Sequence, residues 1–492
     1  MNIALLALLA GMAQLMSLPD WLLAPLQAEN FIDALRLHVS EFASGELLIL
    51  FGGIKRLFLK DDSGYWEGTY NLAVQSSSTG LEQTILLHGK LTAPWFGEPA
   101  IIASNPAPFG SPDWLCFLPE FNLALEIEPP EKELPGLAQL TDADQSRLLM
   151  ERVLREAGRL AADHTITACT PRILSYKPGS RCTIRYELEY AASPHPSTRS
   201  PQLVIGKVYR KGSKAQNAYE GMMTLWHSPL ADGGAVTIAE PIACLPDLKM
   251  MLQSTIPGEI SLEDLLKSWI DSPNGEEQEK LYRSMRRTAA GLAAFHRSGA
   301  SYGEQVALGE RFVDIHELIH RLTVLLPELK DAILPLLERL ENLAALYPEE
   351  PAVPTHGTFN PEQVLIDGER IGFIDFDDYC MAEPALDVGL FRAAIKDTGM
   401  NAPFSSSTPS RAERLARLIL LDEIGDVFLS EYETQAAISR HRVALWEATD
   451  YLRNCLHYWI KVKPAEPDNA LLILEKHLQN CEKNHLLELS SL

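Results

Sequence analysis

Lys207 lies in a strongly apolar segment, Leu203–Tyr209, where a lysine needs a partner for its charge. Alternate residues of a strand share one face, so Lys207 lies on the same face as Ile205. The predicted helix that follows, residues 213–226, carries Glu220. A lysine–glutamate ion pair of this kind holds an ammonium group against the phosphates of a nucleotide. The alternative is a surface lysine whose charged end reaches solvent.

A glycine-containing turn at residues 176–182 separates two predicted strands. A tight turn exposes backbone N–H groups that can approach phosphate oxygens, and Lys177 or Arg181 would add positive charge. We therefore expect Lys177 and Ser180 to contact a nucleotide. A plain hairpin is the alternative, since many such turns bind nothing.

The segment Met250–Gly258 is expected to connect the strand-rich region to the helices that follow. An adenine ring needs apolar cover and backbone hydrogen-bonding groups, and a short extended linker supplies both. Gln253 lies at this position and is predicted to contact the nucleotide. A simple strand and turn would give the same pattern.

Polar residues cluster again in the second half of the chain. Residues 356–365 read His-Gly-Thr-Phe-Asn-Pro-Glu-Gln-Val-Leu, and Asp375-Phe376-Asp377 follows a short apolar strand. This stretch resembles the aminoglycoside phosphotransferase/choline kinase-like family, whose usual pattern is His-Gly-Asp-x-x-x-x-Asn followed by Ile-Asp-Phe/Trp-x-Asp. Ile256-Pro-Gly258, the helix 290–296 and Pro384-x-x-Asp387 extend the resemblance from about Thr141 to the C-terminal helices.

The resemblance implies a two-lobed protein kinase-like fold that binds ATP and Mg²⁺. Lys207 and Glu220 would form the ion pair that anchors the phosphates, and Asp375 would chelate Mg²⁺, a cation that prefers oxygen ligands. His356 and Asp387 would brace the catalytic loop. Asp377 matches the second acidic residue of the family pattern.

Two substitutions depart from the family pattern. Thr358 replaces the catalytic aspartate, and a threonine hydroxyl cannot accept a proton near neutral pH. Gln363 replaces the metal-binding asparagine and keeps the amide oxygen on a longer side chain. Loss of a general base costs ~10²–10⁴ in rate, while positioning and metal electrostatics carry much of phosphoryl transfer. Glu362, Asp377 or Asp378 could supply a displaced base.

The elements that position these residues predict an α+β protein of three parts. Residues 1–135 read as a mostly β accessory domain with an N-terminal helix over residues 3–18, ending in a proline-rich linker. Residues 141–258 form a β-rich N-lobe with one inserted helix. Residues 259–492 form a helical C-lobe that carries the catalytic and metal-binding loops.

Charge and cysteine usage limit the classes of function. The net charge of −23 argues against nucleic-acid binding, because phosphate backbones need a basic face. Residues 3–18 lack the features of an export signal and are too short to span a bilayer comfortably. Seven scattered cysteines without a Cys-x-x-Cys pair fit a reducing compartment, so we expect a cytoplasmic protein.

Three functions follow from these patterns. The first is an ATP- and Mg²⁺-dependent phosphotransferase that acts on a small hydroxylated molecule with weak or retuned catalysis. The second is an inactive pseudokinase that binds a nucleotide or a partner protein. The third is a scaffold in which the accessory domain is the working part. The acceptor and the oligomeric state are not given by the sequence.

Overall fold

The computed structural model describes residues 12, 18–60, 64–96, 107–128, 132–161, 163–191, 200–232, 234–258, 260–323, 326–404, 406, 408–462 and 467–489. The helix expected over residues 3–18 lies almost wholly outside this range. The chain divides into two compact units. Unit 1 comprises the described residues of Met1–Pro130, Gly309–Leu346 and Ala448–Leu492, and unit 2 those of Glu131–Leu308 and Tyr347–Glu447.

Helices dominate the second half of the chain, whereas strands dominate the first. The helices are α1 Asp20–Leu23, α2 Ala28–His38, α3 Ser40–Ala43, α4 Leu137–Thr141, α5 Ala143–Glu156, α6 Gly212–Trp226, α7 Pro229–Asp232, α8 Leu262–Asp271, α9 Gly275–His296, α10 Leu308–Thr323, α11 Pro327–Leu346, α12 Ala385–Asn401, α13 Arg411–Gln435, α14 Arg440–Lys461 and α15 Pro467–Lys483.

Within the described ranges the strands form four sheets. They are β1 Leu47–Lys60, β2 Tyr65–Ser76, β3 Glu82–Thr92, β4 Leu115–Leu118, β5 Leu123–Ile127, β6 Ile166–Lys177, β7 Arg181–Tyr190, β8 Leu203–Tyr209, β9 Thr237–Ile238, β10 Pro241–Leu245, β11 Met250–Ser254, β12 Ile260–Ser261, β13 Gln305–Val306, β14 Val353–Thr355, β15 Val364–Asp367, β16 Arg370–Phe373 and β17 Cys380–Ala382.

Unit 1 is built around an antiparallel sheet of order β1-β2-β3-β5-β4. Along β2, buried residues alternate with partly exposed ones, as expected when one face of a sheet packs against a core. The buried face carries Trp66 and Tyr70, and Phe31 of α2 stacks on Tyr70 at a ring separation of 4.6 Å. The indole N–H of Trp66 donates to the carbonyl oxygen of Trp459, which ties α14 to this sheet.

Besides the N-terminal helices α1 to α3, unit 1 contains helices from two distant parts of the chain. Residues 309–346 and 448–492 group with the N-terminal sheet, although the sequence assigned residues 259–492 to one helical lobe. Arg321 of α10, for example, donates to the carbonyl oxygen of Leu59 in β1 at 3.0 Å. The boundaries 1–135, 141–258 and 259–492 remain a prediction.

Unit 2 begins with a β-rich lobe. Its antiparallel sheet has the order β10-β11-β8-β7-β6, and the long helix α6 and the short helix α7 follow β8. The core of this lobe joins apolar residues of α5, such as Met150 and Leu154, to the buried face of the sheet, such as Ile184 and Val204. Lys207 of β8 is paired with Met251 of β11.

The second lobe of unit 2 is mainly helical. It contains α8, α9, α12 and α13, and two small sheets of order β12-β15-β16-β9 and β13-β17-β14 lie among them. Ser261 and Asp264 form a capping box at the start of α8, so the change from strand to helix is encoded locally. A β-rich lobe followed by a helical lobe confirms the predicted α+β, two-lobed protein kinase-like fold.

Two further observations concern membrane and redox state. Within the part of the chain that is described, no helix is both long and apolar enough to cross a bilayer. The seven cysteines are all free thiols.

Candidate active site

A buried carboxylate fixes the loop that begins at His356. Strand β14 ends at Thr355, and the next two backbone N–H groups both point at Asp387 of α12. The N–H of His356 donates to one carboxylate oxygen at 2.6 Å, and the N–H of Gly357 donates to the other at 2.9 Å. Hydrogen bonds to an ionised acceptor are the strong class, so Asp387 sets the path of the loop.

Asp387 is itself held by His296 at the end of α9. A ring nitrogen of His296 lies 3.1 Å from Asp387 Oδ2, and the other lies 2.7 Å from the hydroxyl of Tyr432. All three side chains are buried. His296 therefore reaches the loop at His356 through Asp387.

The backbone conformation at position 357 requires a glycine. Its φ of +84° lies in the left-handed region, and a Cβ atom there would lie 2.3 Å from the carbonyl oxygen of Asp378. Both facts exclude a side chain. The close approach brings the loop at His356 against the turn Phe376–Asp378 that follows the second acidic motif.

Thr358 and Gln363 contact each other. The amide group of Gln363 donates to Thr358 Oγ1 at 3.5 Å, and its oxygen accepts the N–H of Asn360 at 3.1 Å. The Asn360 side chain also donates to the carbonyl oxygen of Thr358 at 3.2 Å. The two substituted positions therefore take part in hydrogen bonds within the loop, and no carboxylate stands in place of Thr358.

Asp375 follows β16 in an unusual backbone conformation. Its φ is +70°, a value that non-glycine residues rarely adopt and that often marks a functional site. Its carboxylate is about one-quarter exposed and pairs with Lys207. Burial would raise the pKa of Asp375, but the Lys207 ammonium and Arg181 lower it to about 2. The group is therefore an anion at neutral pH.

Lys207 is buried between two carboxylates. Its ammonium group donates to Asp375 and, at 2.7 Å, to Asp377 Oδ1. Burial would lower the pKa of Lys207, but Asp377 and Asp375 raise it above the ordinary value. Lys207 is therefore a cation, and the carboxylates that hold it belong to the loop that follows β16.

The expected ion pair between Lys207 and Glu220 is not formed in this structure, where Lys207 pairs with Asp375 and Asp377 instead. Among the described residues, Glu220 pairs with no lysine or arginine; its carboxylate accepts hydrogen bonds from Gln216 at 2.6 Å and from Tyr302 at 3.0 Å. These two hydrogen bonds lower its pKa. The sequence placed Glu220 on the right helix, but the side chain is directed towards Tyr302.

Asp377 lies deeper than Asp375. Its side chain is 7% exposed against 28% for Asp375. The hydroxyl of Tyr209 donates to Asp377 Oδ1 at 2.9 Å, and burial together with this carboxylate raises the pKa of Tyr209 well above its ordinary value. Tyr209 was not singled out from the sequence, although period-two alternation along β8 puts it on the face of Lys207.

The glycine turn predicted to approach phosphates lies at the same site. Arg181 at the start of β7 places a guanidinium nitrogen 3.9 Å from Asp375 and 3.7 Å from Asp377. Gly179 has a φ of +66°, as a tight turn requires, and the N–H of Ser180 donates to the carbonyl oxygen of Lys177 at 3.0 Å. The roles of Lys177 and Ser180 in binding a nucleotide stay predictions.

Gln253 is buried near the end of β11 and is paired with Ile205 of β8. Directly paired residues of neighbouring strands share a face, so Gln253 and Ile205 lie on the face that carries Lys207. The structure therefore brings Gln253 to the face of the sheet that holds the ion cluster. A contact with a nucleotide remains a prediction.

The residues present fit Mg²⁺ in part. Within the described residues no group of three or more His, Cys, Asp or Glu is arranged to hold a metal. Mg²⁺ commonly takes one or two protein carboxylates together with phosphate oxygens and waters, so Asp375, anionic and partly exposed, is a suitable ligand. The Gln363 oxygen already accepts the Asn360 N–H and retains one lone pair.

Residues 204–407 match the model of the phosphotransferase enzyme family. No curated protein matches the sequence.

Solved structures show a more distant likeness. A choline/ethanolamine kinase family protein from Mesorhizobium loti is 15% identical with a TM-score of 0.45, over 70% of this chain and 97% of that one. A choline kinase from Streptococcus pneumoniae is 14% identical with a TM-score of 0.41, over 69% of this chain and 99% of the other. A glucosamine kinase in complex with glucosamine, ADP and inorganic phosphate is 14% identical with a TM-score of 0.41, over 87% and 93%.

At these identities the activities of the solved proteins cannot be transferred to this chain. The family match, in contrast, covers β8 with Lys207, the loop at His356 and the acidic motif at Asp375. Over residues 204–407 the chain therefore carries the sequence pattern of the phosphotransferase enzyme family, which confirms the predicted resemblance to aminoglycoside phosphotransferases and choline kinases.

Proposed function

We propose that unit 2 binds ATP with Mg²⁺ and transfers a phosphoryl group slowly to a small hydroxylated molecule. The observation that carries this proposal is the cluster of Lys207, Arg181 and Asp375 beside the loop at His356. The cations suit phosphates, and the anionic, partly exposed Asp375 suits a divalent cation. Such a cluster matches what phosphoryl transfer requires, since positioning and electrostatics supply most of its catalysis.

Each residue has a part in this proposal. Lys207 and Arg181 would bind phosphate oxygens, while Asp375, with the remaining lone pair of Gln363, would hold Mg²⁺. The metal would neutralise charge on the phosphates as the transferred group leaves ADP. Asp387 fixes the backbone at His356 and so orients the acceptor side of the site.

Catalysis would be slow because the base is missing. Thr358 cannot remove the proton of an acceptor hydroxyl near neutral pH, and loss of a base costs ~10²–10⁴ in rate. Asp377, considered as a displaced base, accepts hydrogen bonds from Lys207 and Tyr209 and is nearly buried. It is therefore poorly placed for proton transfer, whereas Glu362 is exposed.

A pseudokinase is the second candidate. The hydrogen bonds that join Thr358, Asn360 and Gln363 favour it, because they engage the polar atoms of the loop with one another. Under this alternative the site would bind ATP and Mg²⁺ without turnover. The two candidates share a nucleotide site and differ only in phosphoryl transfer.

The test is a calorimetric titration of ATP with and without Mg²⁺, on the wild type and on Asp375→Ala. We expect binding that Mg²⁺ strengthens and that Asp375→Ala weakens. Asp367→Asn is a suitable control because it removes a partly exposed carboxylate on β15 whose one ion pair among the described residues is with Arg370. Absence of ATP binding to the wild type under all conditions would refute the proposal and favour the scaffold hypothesis.

Turnover separates the two candidates. ADP release would be followed with sugars, amino alcohols and aminoglycosides as acceptors, at high enzyme concentration because the expected rate is low. Acceptor-dependent ADP formation that Asp375→Ala abolishes supports the phosphotransferase. ATP binding without such formation for any acceptor supports the pseudokinase.

The free thiols fit the predicted cytoplasmic location, which localisation of the tagged protein would test.

A further inference from the structure

Lys207 has two acidic partners that differ in their surroundings. Asp375 and Asp377 come from the same short segment after β16, and both accept from the Lys207 ammonium. Asp375 is partly exposed, whereas Asp377 is nearly buried. The carboxylate of Asp375 is therefore accessible to a ligand, whereas that of Asp377 is not.

Asp377 is fixed from several sides. It lies in the turn Phe376–Asp378, its carboxylate accepts the Tyr209 hydroxyl, and its backbone carbonyl oxygen accepts from Lys214 at 2.7 Å. Arg181 lies 3.7 Å from its second carboxylate oxygen. A carboxylate with this many partners is already oriented and loses little freedom when it holds a lysine.

Glu220, in contrast, is not positioned to hold Lys207. Its carboxylate is bound by Gln216 of the same helix and by Tyr302, outside the cluster. Moving it to Lys207 would break both hydrogen bonds. The acidic partner that the family pattern places on the helix after β8 is therefore supplied here from the loop after β16.

We infer that Asp377 is the positioning residue that holds Lys207 for the nucleotide phosphates, in the place expected for Glu220, and so leaves Asp375 available to Mg²⁺. This inference rests on the proposed function. When Asp375 turns to the metal, Lys207 keeps a buried counter-ion in Asp377. A buried lysine without any partner would be strongly unfavourable, so this second carboxylate allows the site to bind metal and phosphate together.

The inference predicts how Mg²⁺ should affect ATP affinity. In Asp377→Asn, Asp375 is the one carboxylate of the described residues that still pairs with Lys207, and it must serve either the lysine or the metal. The gain in ATP affinity that Mg²⁺ provides should then shrink. A general disturbance of the fold would weaken binding with and without Mg²⁺ alike, so the ratio of the two dissociation constants reports on the division of roles.

The experiment measures the dissociation constant of ATP with and without Mg²⁺ by calorimetry for the wild type, Asp377→Asn, Glu220→Gln and Asp378→Asn. Asp378 is the matched control, because it lies in the same turn and pairs with Lys214 at the surface. We expect the Mg²⁺-dependent gain to fall at least tenfold in Asp377→Asn and to change less than twofold in the other two variants. A gain retained within twofold in Asp377→Asn, or an equal loss in Glu220→Gln, would overturn the inference.

A second measurement is independent of the nucleotide. Thermal unfolding midpoints of Lys207→Met, Asp377→Asn and the double variant form a cycle, and the same cycle is made with Glu220→Gln. We expect the double variant with Asp377→Asn to lose clearly less than the sum of its single losses, and the Glu220 cycle to be additive. If the wild type binds no ATP, the proposed function fails, while additivity in the Asp377 cycle would overturn the lysine–aspartate pair itself.

Discussion

Replacement of Asp387 by asparagine should loosen the loop at His356. The carboxylate accepts from His356 N, Gly357 N and His296, and its side chain is fully buried. An amide offers only one acceptor atom, so one backbone N–H would face an NH₂ group. An unsatisfied buried donor costs about 1–3 kcal/mol, and hydrogen bonds to charged groups contribute about 1.5–3 kcal/mol each. We therefore expect local opening to become easier by ~3 kcal/mol.

Hydrogen exchange measures this opening directly. Peptides that span residues 355–360 would be followed by mass spectrometry in the wild type and in Asp387→Asn, under conditions where exchange reports the open population. A change of ~3 kcal/mol corresponds to roughly a hundredfold faster exchange at His356 and Gly357. Peptides from the sheet of unit 1 should keep their rates, which would show that the effect is local.

Asp367→Asn is the control for this prediction. Asp367 is partly exposed on β15 and pairs with Arg370, so its loss should cost less than about 1 kcal/mol and leave the loop peptides unchanged. Exchange in Asp387→Asn within threefold of the wild type would refute the reasoning. The buried carboxylate would then not be what holds the loop.

Three further changes follow from the same geometry. Thr358→Asp with Gln363→Asn should raise phosphoryl transfer ~10²–10⁴-fold by restoring a base, measured as acceptor-dependent ADP release. Gly357→Ala should lower stability by ~3 kcal/mol, seen in the unfolding midpoint, since its φ is +84° and its Cβ would lie 2.3 Å from a backbone oxygen. His296→Leu should cost ~1–3 kcal/mol, by the same measurement, because two buried polar partners lose its ring.

Each of these changes has a matched control. Thr358→Asn supplies the shape of aspartate without its charge and should not raise the rate. Gly368→Ala shares a positive φ but meets no atom within 4 Å, so it should cost less than Gly357→Ala. His227→Leu removes an exposed histidine and should have little effect. An equal effect of a variant and its control would contradict the prediction for that variant. If Thr358→Asp with Gln363→Asn instead abolishes an activity of the wild type, the general base is a residue other than the one at position 358.

The order of the loops and lobes could be read from the sequence. Residues 356–365, the acidic motif at Asp375 and the Pro384-x-x-Asp387 segment have recognisable types and spacing. In the structure the loop at His356 contacts Asp387 on one side and the segment around Asp375 on the other. A local signal also marks the start of α8, where Ser261 and Asp264 form a capping box in the structure. Such patterns are visible in sequence because they depend on near neighbours.

The partner of Lys207 could not be read from the sequence. Glu220 and Asp377 are both acidic residues that the family pattern places near Lys207. Which of them pairs with Lys207 depends on how α6 and the turn at residues 376–378 pack. Tyr302 engages Glu220, and Tyr209 and Arg181 stabilise Asp377. The most distant of these pairs, Arg181 and Asp377, lies 196 positions apart in the chain, so no local pattern reports such contacts.

The sequence by itself determined the α+β class, the two-lobed order within unit 2 and the two departures from the family pattern, Thr358 and Gln363. These follow from periodicity and residue chemistry, which need no knowledge of packing. Only the tertiary structure decided that residues 309–346 and 448–492 group with the N-terminal sheet, and that Asp377 pairs with Lys207. Long-range burial and the direction of individual side chains decide such pairings, and both appear only when the distant segments come together.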